Sequence, residues 1–302
     1  MPPVKKPKRV NYLNNRDILK EIHKSKLSFC YTVDDNFSQF DMILHSVDDI
    51  NEDAIQEAKV NQAARLSSAA YEAGVNVWHD IKGSRGTKPK QAEFRVEPDS
   101  IQTEDIVFRV MTFDHVPFEP GRKKNPKSEA DLHTRCNFPP FKHYALVDGE
   151  WKEVVRSHWE GGFDNGAFNL AHGNMTPKLA KMMMELCNRY SMRSNWRGYT
   201  YVDEMRSTAL VQLSQVGLQF DESRSQNPFA YYTATITNSF TRVLNLEKRN
   251  QNIRDDILQD SGYMPSFNRQ MNDEATQQAA RKESEDHDKQ QEELKNAGYN
   301  TI

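Results

Sequence analysis

The stretch NPFAYYTATITNSFTRVLNL, residues 227–246, decides the fold of the C-terminal half because it predicts a long amphipathic helix. Asn227 is a suitable N-cap, and Pro228 suits the first helical position. One side has apolar residues at helical spacing, as expected of a core-facing stripe. This predicted inner stripe consists of Phe229, Tyr232, Ile236, Phe240 and Val243.

The other side of this predicted helix is polar and leads into a basic segment, EKR, at residues 247–249. Aromatic rings can stack on unpaired bases, cations neutralise phosphates, and Asn or Thr groups read base edges. An ordinary solvated helix face is the alternative interpretation. The candidate DNA-contacting residues in this segment are Tyr231, Tyr232, Thr235, Asn238, Ser239, Arg242, Lys248 and Arg249.

Two further helices are predicted upstream, over residues 176–190 and 201–220. Thr176 is the expected N-cap of the first, with Pro177 in its first position. Its inner stripe is Leu179, Met182, Met183, Leu186, Cys187 and Tyr190. The inner stripe of the second is Val202, Met205, Ala209, Leu213 and Val216. Its outward-facing polar residues are Asp203, Glu204, Ser207, Gln212 and Gln215. Short connections between three such helices predict a compact bundle over about 165–265.

The first half of the chain has a different pattern. An N-terminal helix is predicted after Asn14 or Asn15, and an alanine-rich helix over 53–77 should stop near Gly74. The run IVFRVMTF (106–113) alternates as a strand, with Val107, Arg109 and Met111 on one side and Phe108, Val110 and Thr112 on the other. Asp148-Gly149 predicts a tight hairpin. Residues 31–164 should therefore form a small α/β region.

Charge is unevenly distributed along the 302 residues, although the net charge is only −3. Residues 1–9 carry four cations, and residues 176–250 carry ten Lys/Arg against six Asp/Glu. Residues 251–302 carry six Lys/Arg against eleven Asp/Glu, and from 266 onward we expect an acidic tail that is disordered or forms a solvated helix. Basic segments favour a polyanionic partner. The three scattered cysteines indicate a reducing compartment, and no apolar run suggests a membrane span or secretion leader.

Two weaker site hypotheses remain beside the helical one. The spacing His133-x2-Cys136-x6-His143, with His115 upstream, offers N and S ligands for zinc but only one cysteine. A possible acid/base group, or else a plain glycine-rich turn, consists of His158, Glu160 and Asp164. Because no established catalytic motif occurs, we expect no enzymatic activity, no metal and no cofactor.

One long segment resembles a known family. Residues 198–249, GYTYVDEMRSTALVQLSQVGLQFDESRSQNPFAYYTATITNSFTRVLNLEKR, resemble the sigma factors that T4-like bacteriophages, the cyanophage branch above all, use for late transcription. More distantly they resemble region 2 of bacterial sigma factors. The shared elements are a helix, Phe220-Asp221-Glu222, a polar loop, N-P-x-A-Y, a second helix and a basic exit. The N-terminal NYLNNRDILKEI is similar as well.

The resemblance implies a sigma region 2-like bundle at 165–265. Together with the residue patterns this predicts a mainly α fold, which adds a basic arm with one helix at 1–30, an α/β insert at 31–164 and an acidic, disordered tail at 266–302. The resemblance implies that residues 203–215 dock on the β′ clamp helices of the host RNA polymerase core. It also implies that residues 231–249 recognise and help melt an AT-rich late-promoter element. Thr235-Ile236 stands where housekeeping factors carry a tryptophan pair.

Further partners implied by the resemblance are the polymerase β flap, the phage sliding clamp and a late co-activator, all in the host cell cytoplasm. The closing EELKNAGYNTI has few of the apolar groups that relatives use to hold the clamp. The insert has no counterpart in the resemblance. A polymerase-binding co-activator or anti-sigma protein that does not read DNA is the alternative.

Overall fold

The computed structural model describes residues 13–80, 88–169 and 174–296, with backbone only for 294–296. The helices in these ranges are α1 (Asn15–Leu27), α2 (Glu52–Asp80), α3 (Pro177–Ser191), α4 (Val202–Val216), α5 (Pro228–Asp260) and α6 (Phe267–Asn296). The strands are β1 (Cys30–Thr32), β2 (Met42–Leu44), β3 (Val107–Met111), β4 (Phe141–Val147), β5 (Glu150–Ser157), β6 (Trp159–Glu160) and β7 (Ala167–Phe168). The fold is thus mainly α, with a small sheet region. Nowhere in these ranges does a helix combine the length and apolar character needed to cross a bilayer.

Five strands form one sheet in the order β1-β5-β4-β3-β2, and β6 pairs with β7 separately. All neighbours are antiparallel except β2 and β3, which run parallel. The predicted hairpin joins β4 to β5. Asp148 and Gly149 both have positive φ, 56° and 81°, as a two-residue type I′ turn requires. The hairpin prediction is therefore confirmed.

Strand β3 alternates as predicted, and both of its sides are covered. Val107 and Met111 pack against the helical bundle, whereas Phe108 and Val110 belong to a second core under α2. Arg109 points to the bundle side and is fully buried. A charged residue inside a strand covered on both sides needs a partner, which the bundle supplies.

The predicted end of α2 at Gly74 is wrong, because the helix continues to Asp80. The ring of Phe94 packs over Gly74, so a Cβ added there would lie 2.5 Å from the Phe94 Cζ. An interior glycine weakens a helix by only about 1 kcal/mol, which packing can offset. Gly74 therefore makes room for an aromatic ring and does not end the helix.

Helices α3, α4 and α5 pack as the predicted bundle, and their caps are as expected. The Thr176 Oγ1 accepts the Leu179 amide at 3.3 Å, and the Asn227 Oδ1 accepts the Ala230 amide at 3.1 Å. The inner stripe of α3 is buried throughout. Three predicted core positions differ: Phe229 is 36% exposed, while Val202 and Val216 are half-buried.

The α/β region is not a separate module, since it shares one hydrophobic core with the helices. Ile22 of α1, Phe141 of β4, Val155 of β5, Met183 of α3 and Ile236 of α5 belong to the same buried cluster. The predicted boundary at residue 164 therefore crosses no break in the packing. Helix α1 contacts α3 and α5 of the bundle, and it reaches the sheet through His23, whose Nδ1 lies 3.3 Å from the Arg109 Nη1.

The acidic C-terminal segment takes the helical form over residues 267–296, and its described side chains are almost all exposed. A solvated helix, the second of the two expected forms, is thus what the structure has here. The basic arm at 1–9 and the last residues, 297–302, lie outside the described residues.

Candidate functional site

The polar side of α5 is a continuous exposed stripe. We define the α5 outer face as Asn238, Thr241, Arg242, Asn245, Lys248 and Arg249, all of which are exposed. Among the described residues, none of the three cations forms an ion pair. The helical period places these residues on one side because steps of three and four return to the same face. Four of the predicted DNA-contacting residues therefore lie together: Asn238, Arg242, Lys248 and Arg249.

Two of the predicted DNA-contacting residues are buried and do not belong to this surface. Tyr232 is 1% exposed, and its hydroxyl donates to the Gly217 carbonyl at 2.6 Å. Burial raises the pKa of this phenol well above its ordinary value. Ser239 is 5% exposed and donates to the Thr235 carbonyl at 3.0 Å. Both lie on the same side of α5 as Ile236, so they stabilise the bundle and are removed from the candidate set.

Tyr231 and Thr235 lie at the border of the α5 outer face and are half-buried. The Tyr231 hydroxyl donates to the Val216 carbonyl at 3.2 Å, and its ring meets Phe220 edge-on at 5.6 Å. Burial raises the pKa of Tyr231. Because the Tyr231 hydroxyl already donates to a backbone carbonyl, only the exposed part of its ring is available to contact a ligand.

Helix α4 presents a second exposed stripe, the α4 outer face, made of Asp203, Glu204, Ser207, Val211, Ser214 and Gln215. Four of the predicted polymerase-contacting residues lie in it, and Gln212 is half-buried at its edge. Val211, which the sequence analysis did not select, is 58% exposed in the middle of the stripe. A partner that covered Val211 would remove this apolar surface from water.

A buried ionic cluster lies beneath the loop between α4 and α5. It consists of Lys26 of α1, Arg109 of β3 and Glu222, with relative exposures of 1%, 0% and 8%. The Lys26 Nζ lies 2.9 Å from the Glu222 Oε1, and the Arg109 Nη1 lies 3.0 Å from the Oε2. The Lys26 Nζ also donates to the Phe220 carbonyl at 2.7 Å. One carboxylate therefore joins three segments that are far apart in the sequence.

The Arg109 guanidinium is enclosed by aromatic groups. Its carbon lies 3.9 Å from the ring centroid of Phe40 and 3.8 Å from that of Phe141. Its Nε donates to the His143 Nε2 at 3.0 Å, so the His143 proton sits on Nδ1 and faces the Phe37 carbonyl at 2.9 Å. Among the described atoms, the Arg109 Nη2 has no hydrogen-bond partner.

The charges in this cluster shift the pKa values of the groups around it. Burial by itself raises the pKa of Glu222, but the opposing charges, Lys26 first, bring it down to about 2. Burial lowers the pKa of His23 to about 3, against the attraction of Glu222. Burial and the Arg109 charge also lower the pKa of His143. At neutral pH both imidazoles are neutral, so two buried cations share a single carboxylate.

Sequence reasoning missed this cluster, although two signals pointed toward it. Arg109 interrupts an apolar strand on the side that faces the core, and Glu222 closes the Phe-Asp-Glu element that carries the family resemblance. A buried charge requires a partner. The identity of that partner, however, depends on which distant segments meet in the fold.

The two weaker site hypotheses receive no support from the geometry. His143 belongs to the Arg109 environment, while the His133 Nδ1 lies 2.9 Å from the Val116 carbonyl. In the part of the chain that the structure describes, no three His, Cys, Asp or Glu side chains are arranged to hold a metal ion. His158 is buried against the ring of Phe138, and Glu160 accepts a hydrogen bond from Asn169.

Comparison with known proteins gives no match to any family model, curated protein or solved structure.

Proposed function

We propose that this protein is a bacteriophage sigma factor for late transcription, which binds the host RNA polymerase core and directs it to an AT-rich promoter. The observation that carries the proposal is the placement of two distinct exposed stripes on consecutive helices of one bundle. The α4 outer face is polar with Val211 at its centre, whereas the α5 outer face carries free cations. The resemblance of residues 198–249 to phage sigma factors assigns each of these stripes a role.

In this proposal the α4 outer face docks on the β′ clamp helices. Asp203, Glu204 and Ser207 occupy its first half, and Val211, which is 58% exposed, provides an apolar contact in the second half. Covering the Val211 side chain on docking would contribute to binding through the apolar area that it removes from water. The host sigma factor would compete for the same site, so promoter choice follows the relative concentrations of the two factors.

The α5 outer face would hold the promoter DNA. Arg242, Lys248 and Arg249 are available to neutralise phosphates, and Asn238 can donate to and accept from a base edge. The modest positive charge of residues 176–250, ten Lys/Arg against six Asp/Glu, predicts weak and salt-sensitive binding by the free protein. Specific recognition would then require the polymerase complex.

Strand separation needs a stacking group, because unstacking a base step costs a few kcal/mol. At the position of the housekeeping tryptophan pair, Ile236 is fully buried and only Thr235 reaches the border of the face. Tyr231 is half-buried and lies one turn earlier on α5. Tyr231 is therefore the aromatic group that we assign to the melting step.

The two outer faces can be tested separately. A Tyr231→Ala/Arg242→Ala variant should bind core polymerase like the wild type but lose promoter opening, measured by permanganate reactivity of unpaired thymines. A Ser207→Arg/Val211→Glu variant should lose core binding in a pull-down assay. Arg281→Ala, which removes one exposed cation from α6, is the control and should change neither result.

The alternative class gives a different result in the same experiment. A co-activator or anti-sigma protein that does not read DNA would need the α4 outer face only. Normal promoter opening by the Tyr231→Ala/Arg242→Ala variant would therefore refute the sigma proposal and favour that alternative.

A further inference from the structure

A cleft of about 960 Å³ lies between the α/β region and the start of α5. One wall is the long loop between β3 and β4, including Arg122, Arg135 and Cys136. The other wall is the segment from Gln219 to Tyr231, which contains the Phe-Asp-Glu element. Tyr231 thus belongs to the border of the α5 outer face and to the cleft at the same time. The volume of the cleft falls at the upper end of the roughly 300–1,000 Å³ usual for ligand pockets.

The lining combines aromatic rings with guanidinium groups. Phe113 and Tyr231 are half-buried and offer ring surface to the cleft, whereas Phe138 and Phe220 line it but are almost fully buried. Arg122, Arg135 and Arg224 supply the cations, against two carboxylates, Glu129 and Asp221. Aromatic groups stack on bases of any sequence, and a guanidinium can bind a phosphate through two parallel hydrogen bonds. This combination is typical of sites for unpaired nucleic-acid strands.

Two of these three arginines form ion pairs with carboxylates of the protein itself. Arg224 pairs with Asp221 at 3.1 Å, and Asp221 also accepts the Ser223 amide at 3.0 Å. Arg122 approaches Asp131 only at 4.0 Å, the outer limit of an ion pair. Among the described residues, Arg135 is exposed and forms no ion pair. Arg135, which has no ion pair, and Arg122, whose ion pair is the longer of the two, are therefore the cations that we assign to a ligand.

The start of α5 does not offer free amides to the cleft. The Asn227 side chain accepts from the Ala230 amide, and the Asn15 side chain accepts from the Phe229 amide at 3.1 Å. An anion in the cleft must therefore be held by side chains. These side chains come from the α/β region, the part of the protein for which the family resemblance suggests no role.

We propose that this cleft binds an unpaired segment of DNA, with Arg122 and Arg135 of the α/β region contacting its phosphates and Tyr231 stacking on a base. The inference rests on the proposed function, since it places the second wall of the DNA-binding surface on the α/β region. The long β3–β4 loop and α5 then hold the strand from opposite sides. The two walls meet the shared core of the sheet and bundle through Phe138 on one side and Phe220 on the other.

The first test measures binding of the full-length protein to an AT-rich single strand of about 12 nucleotides, a length within the range of known single-strand sites. Fluorescence anisotropy in about 50 mM salt should show binding roughly tenfold weaker for Arg122→Ala/Arg135→Ala than for the wild type. The salt slope should fall by about 1.4 for two lost phosphate contacts. The control, Lys90→Ala/Arg95→Ala, removes two exposed cations far along the chain near α2 and should match the wild type.

The second test uses a native probe in the cleft. Cys136 lines the cleft and is half-buried, and burial raises the pKa of its thiol to about 11. Because of this raised pKa we expect Cys136 to be alkylated slowly. The rate of its alkylation, measured by peptide mass spectrometry, should fall further when the oligonucleotide is bound. Cys30, half-buried beside the Lys26 carbonyl, is an internal control and should react at an unchanged rate.

The outcomes separate the cleft from the proposed function. If Arg122→Ala/Arg135→Ala binds the oligonucleotide as tightly as the wild type does, or if the oligonucleotide does not protect Cys136, the cleft proposal is overturned. The sigma assignment still stands in that case if Tyr231→Ala/Arg242→Ala abolishes promoter opening. If Arg122→Ala/Arg135→Ala binds the oligonucleotide normally and Tyr231→Ala/Arg242→Ala opens the promoter normally, both proposals are overturned. Equal protection of Cys136 by a duplex of the same sequence overturns the assignment to an unpaired strand. The cleft proposal is also overturned if the wild-type protein binds no oligonucleotide at low salt.

Discussion

Replacing Glu222 with glutamine tests how the α/β region is attached to the helical bundle. The side chain keeps its size, but Lys26 and Arg109 lose the only carboxylate within 4.0 Å among the described residues. Both cations are almost fully buried and cannot turn toward water without opening the core. The Glu222→Gln variant therefore leaves two uncompensated charges in the interior.

The expected cost follows from this burial. Removing one partner of a buried ion pair typically costs about 3–5 kcal/mol, because the remaining charge is left desolvated. Here the single carboxylate serves two cations, so we expect the upper part of that range. Domains are stable by about 5–15 kcal/mol, which means that this substitution removes a large fraction of the total. An exposed pair such as Arg16–Glu72, at 3.1 Å, should contribute no more than about 1 kcal/mol.

Urea unfolding, followed by circular dichroism, measures the free energy of unfolding of Glu222→Gln and of Glu72→Gln, which is the matched exposed control. The double substitution Glu222→Met/Arg109→Met should recover part of the loss, because an apolar pair removes one buried cation together with its counter-charge. A loss below about 1 kcal/mol for Glu222→Gln would refute the argument that this cluster is desolvated and holds the two regions together.

Three further predictions concern single side chains. Burial, then the charges of Lys142 and Arg156, lower the pKa of His115 to about 4, so the neutral ring's contribution to the free energy of unfolding is complete above pH 6.5 and is lost as the pH falls toward 4. In His115→Gln, the free energy of unfolding, obtained from thermal unfolding at several pH values, should therefore fall less between pH 6.5 and 4, by on the order of 1 kcal/mol. A fall as large as that of the wild type would contradict this. Gly74→Leu should displace the Phe94 ring and cost about 1–3 kcal/mol in urea unfolding, and wild-type stability would show that the ring is not needed there. Tyr232→Phe leaves the buried Gly217 carbonyl without its 2.6 Å donor and should cost roughly 1–3 kcal/mol by the same measurement; a neutral result would contradict the packing of α5 on α4.

Local patterns predicted the local structure well. Asp148-Gly149 requires two residues with positive φ and gave the correct hairpin, and the Asn227-Pro228 pair gave the correct start of α5. Alternation along β3 assigned each of its two sides correctly, because side chains of a strand point to opposite faces. In each case neighbouring residues carry all the necessary information.

Features that depend on distant segments were not predictable from such patterns. The parallel pairing of β2 with β3 joins strands separated by α2, and the packing of Phe94 over Gly74 depends on where the short 3₁₀ helix Gln91–Phe94 lies against α2. For the candidate site, helical spacing correctly placed Asn238 and Arg242 outside. It could also have excluded Ser239, which lies three residues after Ile236 on the buried side.

Run-off transcription tests the central proposal most directly. The reaction contains host core polymerase, a template with an AT-rich late promoter, and either the wild-type protein or the Tyr231→Ala/Arg242→Ala variant. The sigma proposal predicts a discrete transcript with the wild type, none with core polymerase by itself, and none with the variant. Core polymerase that binds the wild-type protein but starts no transcript from that promoter would contradict it.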